Sequence, residues 1–136
     1  MLVDTHCHLF FDELKKDLDG VLSRAAALGV TKFICVGTNI EDSHDSYELS
    51  LKYENIFSTA GIHPHDVEEV PKDYLDQIKN LLKKSNVVAL GEIGLDYFKS
   101  ISDKKIQKNI FGEQLELAKE VNVPIVFHNR DSDKDI

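Results

Sequence analysis

The chain has little of what would staple, anchor or export it. Of its 136 residues only Cys7 and Cys35 are cysteines, too few to cross-link a domain of this size and suited to a reducing compartment. No apolar run approaches the roughly 18 residues that a membrane span needs. The start, Met1-Leu2-Val3-Asp4, lacks a basic stretch followed by an apolar one, so no secretory leader and a cytoplasmic location are expected. Positive charge is also scarce: 16 basic against 24 acidic residues leave a formal net charge of −8. A protein that coats DNA needs the opposite balance, because neutralised phosphates supply most of its affinity. A nucleic-acid substrate is still compatible, since bound metal ions bring local positive charge to phosphates.

Several motifs are missing as well. No G-x-G-x-x-G follows the first apolar run, and no G-x-x-x-x-G-K-[ST] occurs anywhere. No Ser-His-Asp arrangement or nucleophile elbow stands out, and no low-complexity linker divides the chain. What is present is a globular composition, 42% hydrophobic, that reads as a single domain over residues 1–136.

Apolar runs and helical periodicities alternate from start to finish. The spacing predicts strands over 2–4, 32–36, 56–60, 87–90 and 123–127. Between them it predicts helices over 11–28, closed by Gly29, over 40–53, from Pro71 to about Lys84, and from Asp103 or Lys104 to Glu120. The order βαβαβαβαβ calls for a parallel sheet with right-handed crossovers. Units of roughly 30 residues suit βα repeats. With a His-x-His rather than a glycine fingerprint after the first strand, the expected fold is a (β/α) barrel of TIM type. It is incomplete here, at about five parallel strands and four helices, because a whole barrel takes about 250 residues. An incomplete barrel leaves the edges of its first and fifth strands unpaired, so self-association is expected.

Chemistry gathers where those strands end. His6 and His8 lie two apart on an extended segment and project to one side, where a single metal could accept both nitrogens; the alternative is a surface pair. Asp4 shares their face, as a carboxylate orienting them or as a cap. Glu92 follows the apolar run Val87 to Leu90 and Gly91. A carboxylate there needs a partner, either two ions that it bridges or a basic neighbour such as Arg130. Asp96 is a ligand-side carboxylate or a turn-former. His128 ends the run Pro124 to Phe127 and repeats the logic of Glu92, with a satisfied core histidine as the alternative. Arg130 has a fork suited to phosphate, with a salt bridge to Asp131 or Asp96 as its alternative. His63 and His65 flank Pro64 beyond the third strand and are read as substrate or phosphate contacts rather than metal ligands, with a structural loop role as the alternative. His44 reads as solvated, and Cys7 and Cys35 as packing residues rather than nucleophiles.

Taken together, Asp4-Thr5-His6-Cys7-His8, Gly61-Ile62-His63-Pro64-His65, Gly91-Glu92-Ile93-Gly94-Leu95-Asp96-Tyr97 and Pro124-Ile125-Val126-Phe127-His128-Asn129-Arg130 resemble the TatD family of metal-dependent deoxyribonucleases. The resemblance implies an eight-stranded barrel of the amidohydrolase type that hydrolyses phosphodiesters of DNA with two divalent ions, magnesium, manganese or zinc. It implies that His6 and His8 bind one ion, Glu92 bridges both at the catalytic centre, and His128 binds the second. His63, His65 and Arg130 would then face the substrate. Asn129 stands where that family more often has serine or cysteine. The family pattern continues with a further histidine and a Glu-Thr-Asp segment whose aspartate acts as general base. Neither is met before Ile136, so the chain is expected to be the N-terminal part of such a barrel. Two other readings follow: a catalytically incomplete fragment that binds or assembles, and a related amidohydrolase acting on amides or esters. The second lacks the lysine that would be needed at the end of the fourth strand.

Overall fold

Strand and helix alternate along the chain because apolar β-formers and amphipathic stretches do. The computed structural model describes residues 1–99 and 101–136. Its elements are β1 (Leu2–Cys7), α1 (Asp12–Lys15), α2 (Leu18–Ala27), β2 (Val30–Cys35), α3 (Ile40–Lys52) and β3 (Ile56–Ala60), then a 3₁₀ turn (Val67–Glu69), α4 (Tyr74–Leu82), β4 (Val87–Asp96), α5 (Lys104–Val121) and β5 (Ile125–Arg130). The strands form one 5-stranded sheet in the order β1-β2-β3-β4-β5, each parallel to its neighbour. A doubly wound sheet reverses its order at a switch point, and this one does not. Sequential parallel strands joined through helices are the pattern of a barrel segment, as expected.

Two departures from the sequence reading have local causes. The helix expected over 11–28 is broken at Asp17, whose backbone leaves the helical region at φ −135°, ψ 43°. Its carboxylate folds over the next turn to meet Arg24 at 3.0 Å, in the space that a side chain on Gly20 would fill. The second departure concerns β4, expected to end at Leu90, which runs ten residues to Asp96. Gly91 and Gly94 make that possible. Gly94 sits opposite His128 of β5 at φ +147°, and a Cβ there would lie 2.0 Å from the His128 carbonyl oxygen. Only glycine lets the two backbones approach so closely.

Packing is uneven across the sheet. β3 and β4 are buried almost throughout, pressed under α4 and α5 by Ile62, Ile78, Leu81, Leu90, Ile93, Ile110 and Leu117. A second cluster, with Leu18, Phe33, Cys35, Leu49 and Ile56, fills the space between α2, α3 and β2. By contrast β1 and β5 are largely exposed. The central strands therefore anchor the site and the outer strands complete it.

Candidate metal centre

Two of the register irregularities in the sheet fall at residues that carry the chemistry. Between Asp4 and Cys7, β1 has one residue more than β2 opposite it, and between Leu90 and Ile93 β4 has one more than β5. An extra residue bends a strand and re-aims its side chains; these two bracket His6 and Glu92. The Glu92 backbone is fixed by its N–H donating to the Gly37 carbonyl at 2.8 Å. Its side chain is only 10% exposed. The two oxygens diverge: Oε2 lies 3.2 Å from Nε2 of His6 and Oε1 lies 3.3 Å from Nδ1 of His128. Arg130, the alternative partner, instead stacks its guanidinium 4.1 Å over the ring of Phe98.

Hydrogen bonds set which nitrogen of each imidazole is free. Nδ1 of His8 lies 2.8 Å from the Val36 carbonyl. A carbonyl only accepts, so Nδ1 carries the hydrogen and Nε2 keeps its lone pair. His128 presents Nε2 to Asp96 at 3.0 Å, which leaves the Nδ1 lone pair facing Glu92. A nitrogen lone pair opposed to a carboxylate oxygen at this distance calls for positive charge between them, either a proton or a metal ion. Among the described residues two groups could hold one: His6, His8 and Glu92, and His63, Glu92 and His128, with the donor atoms of each group within 4.8 Å of one another. This donor set, with the second ring nitrogens of His8 and His128 already held by Val36 and Asp96, fits a divalent ion.

His63 differs from the other imidazoles of these groups. The His65 amide donates to its Nδ1 at 3.1 Å, so its hydrogen sits on Nε2, which makes that atom a donor. Burial first, and then the neighbouring His128 and His65, hold its pKa down to about 3. A neutral ring offering an N–H suits an anionic substrate oxygen better than a metal.

Asp96 organises the far side of the centre. Its Oδ2 accepts from Nε2 of His65 at 2.7 Å and of His128 at 3.0 Å. Its Oδ1 accepts from the amides of Phe98 and Lys99. Burial pushes its pKa up, but the Lys99 amide and the two imidazoles outweigh this and hold it at about 2. Glu92, Gly94 and Asp96 alternate along β4 and share a face, and the His128 ring meets the carboxylates on either side of Gly94.

The remaining candidates sit apart from these contacts. Asp4 accepts from the His6 amide at 3.1 Å, the local bond of a cap. His44 is exposed on α3. Cys7 faces Cys35 across β1 and β2 and donates to the Ile34 carbonyl at 3.3 Å. Contact with the Cys35 sulfur, followed by burial, drives the Cys7 thiol well above its ordinary pKa, which keeps it protonated. Asn129 bonds Asp133 and Ser132 and caps the turn after β5.

The sequence reading left the role of Asp96 open and passed over Gln107 and Gln114. Had β4 been carried to Asp96, the even spacing from Glu92 would have put both carboxylates on one face. The glutamines gave no such signal, since they interrupt an apolar helical stripe.

A parallel barrel segment whose strand ends gather imidazoles around a buried carboxylate is a framework on which metal-dependent hydrolases are built. The family model described as TatD related DNase matches residues 3–136, and the chain belongs to that family. It is 41% identical over 136 residues to a Bacillus subtilis protein named uncharacterized metal-dependent hydrolase YabD, covering 100% of this chain and 53% of that protein. It is 36% identical over 131 residues to the 3'-5' ssDNA/RNA exonuclease TatD of Citrobacter koseri, covering 96% of this chain and 50% of that one. The solved structure of YJJV, a TatD homolog from Escherichia coli K12, matches with a TM-score of 0.91 at 35% identity, over 98% of this chain and 52% of that chain. The chain thus spans about half the length of the relatives it matches.

Proposed function

We propose that this chain supplies the metal-binding face of a phosphodiesterase acting on nucleic acid, with two divalent ions, magnesium, manganese or zinc, as cofactors. The observation that carries the reading is one buried carboxylate with an imidazole on each oxygen, Glu92 between His6 and His128. His6, His8 and Glu92 form one ligand group, and Glu92 and His128 form the core of the other. Ions held there would supply positive charge against a phosphodiester and lower the pKa of bound water. That charge also answers the net −8 of the chain, which would otherwise repel nucleic acid.

The other residues bind and orient. His63 offers its Nε2 hydrogen to a phosphate oxygen. His65 is tied to Asp96, which aims His128, and contributes to the same loop. Phe98 is 59% exposed with Arg130 stacked on it. Such a pair can take a base by stacking while the guanidinium meets the adjoining phosphate, and this favours single-stranded substrate. No helix among the described residues is long and apolar enough to cross a membrane.

A second reading rests on a separate observation. Leu2 of β1 is 60% exposed and Phe127 of β5 is 52% exposed, on strands with a free edge each, so this chain would self-associate through those edges. One assay separates the two readings. The full chain is incubated with magnesium or manganese and single- or double-stranded DNA, and nucleotide release is followed for the parent and for Glu92→Ala. Release that depends on the ion and is lost in Glu92→Ala supports the phosphodiesterase. Release that survives the substitution sinks it, and no release at all leaves the assembly reading.

A further inference from the structure

Gln107 and Gln114 are both fully buried, on a helix that otherwise turns Ile110, Leu117 and Ala118 to the core. An apolar residue would fill either position, so burial alone does not explain an amide there. Each amide instead pairs with both backbone groups of a single residue. Gln114 accepts from the Ile62 N–H at 2.8 Å and donates to the Ile62 carbonyl at 3.1 Å. Gln107 accepts from the Asp96 N–H at 2.9 Å and donates to the Asp96 carbonyl at 3.1 Å and the Ser102 carbonyl at 3.0 Å. Each glutamine thus does for one residue what a neighbouring strand would do.

Strand pairing does not reach Ile62 and holds Asp96 on one side only, opposite Arg130 of β5. β3 ends at Ala60, so Ile62 is beyond it, immediately before His63. Asp96 is the last residue of β4, and its carboxylate holds His65 and His128. Gln107 and Gln114 are seven residues apart, about two helical turns, and so share a face of α5. One rigid helix thereby fixes both the loop after β3 and the end of β4.

We propose that Gln107 and Gln114 are positioning residues of the metal centre: Gln107 sets Asp96 and through it His128, and Gln114 sets Ile62 and through it the His63 donor. The assignment rests on the metal-dependent reading above and assigns each glutamine a different consequence. Gln107→Met keeps the volume and removes the clamp, and the zinc equivalent at Glu92 and His128 weakens about tenfold or more, the usual effect of losing a partner that orients a ligand. Gln114→Met leaves zinc binding within twofold but weakens inorganic phosphate binding to the zinc-loaded chain by about tenfold. Leu117→Ala removes buried contacts from the same helix without touching either clamp. It lowers the unfolding midpoint and leaves both affinities within twofold.

The experiment combines zinc titration against a chromophoric chelator, phosphate binding to the loaded chain, and amide hydrogen exchange of the ion-free chain. In the exchange arm, the Ile62 and Asp96 amides of the parent exchange as slowly as that of core Ile93, and each speeds up at least tenfold in the matching variant. Fast exchange of those amides in the parent overturns the proposal even if a variant fails to fold. So do losses of zinc and phosphate affinity that merely track the lost stability, as in Leu117→Ala. A parent chain that takes up no zinc overturns the metal-dependent reading instead, and the exchange arm still decides the clamps.

Discussion

β4 and β1 both reach the same carboxylate-centred cluster, but they are held in opposite ways. β4 is buried on nearly every residue, backed by α5 and clamped at its end by Gln107. β1 is exposed along most of its length and pairs with β2 alone. Glu92 is thus placed by the core, whereas His6 is placed by a single row of strand pairing and a bend in its own backbone. Two sides of one site need not be equally supported: the shared carboxylate sits on a strand buried along its length, and the imidazoles proposed to join it in holding ions sit on exposed outer strands or beyond β3.

Disrupting the central strand should have the largest effect. Gly94→Ala would drive a Cβ to 2.0 Å from the His128 carbonyl oxygen at φ +147°, and either the chain fails to fold or about 2–5 kcal/mol is lost. Ile93→Ala, at a fully buried position, costs about 2–5 kcal/mol through the cavity it leaves. Val3→Ala on β1, 45% exposed, costs about 1 kcal/mol or less. Urea unfolding of the three variants measures the contrast, and equal losses in Ile93→Ala and Val3→Ala would erase it.

Acid should act on the same central region. His63 titrates at about 3 in the folded chain against an ordinary 6.5, so the unfolded chain takes up this proton first as the pH falls. Stability of the ion-free protein is whole above about 6.5 on this account, and declines by up to about 1.4 kcal/mol per pH unit toward 3. Asp96, held at about 2 against 3.8, adds its loss only below 3.8, where it gains a proton more readily unfolded. Urea midpoints measured from pH 8 to 4 should fall for the parent and flatten in His63→Gln. A parent curve already flat over that range contradicts the burial of His63.

The edges should give the smallest change in stability and the clearest change in assembly. Val3→Lys and Phe127→Lys place charge on the free edges of β1 and β5 and alter stability by no more than about 0.5 kcal/mol. They shift self-associated chain toward monomer in light scattering. A parent that is monomeric at all concentrations removes the need for the substitutions and the self-association with it.

The same contrast explains what could be read from the sequence. The order of elements and the parallel sheet were legible because buried strands read as continuous apolar runs and the helices keep their 3.6-residue stripe. His6, His8, Glu92 and His128 were legible because each is polar at the end of such a run. The length of β4 was hidden, because Gly91 and Gly94 look like turn residues until β5 is known to lie against them. The donor role of His63 depends on one amide bond from His65, and the clamps depend on contacts 11 and 52 residues away in sequence. No local pattern encodes those.

If Glu92 is shared by two ligand groups, zinc binding to the full chain, measured by calorimetry, will reveal it. The parent takes up two equivalents, His6→Ala and His128→Ala each lose one, and Glu92→Ala loses both. A Glu92→Ala chain that keeps either equivalent at parental affinity would contradict it.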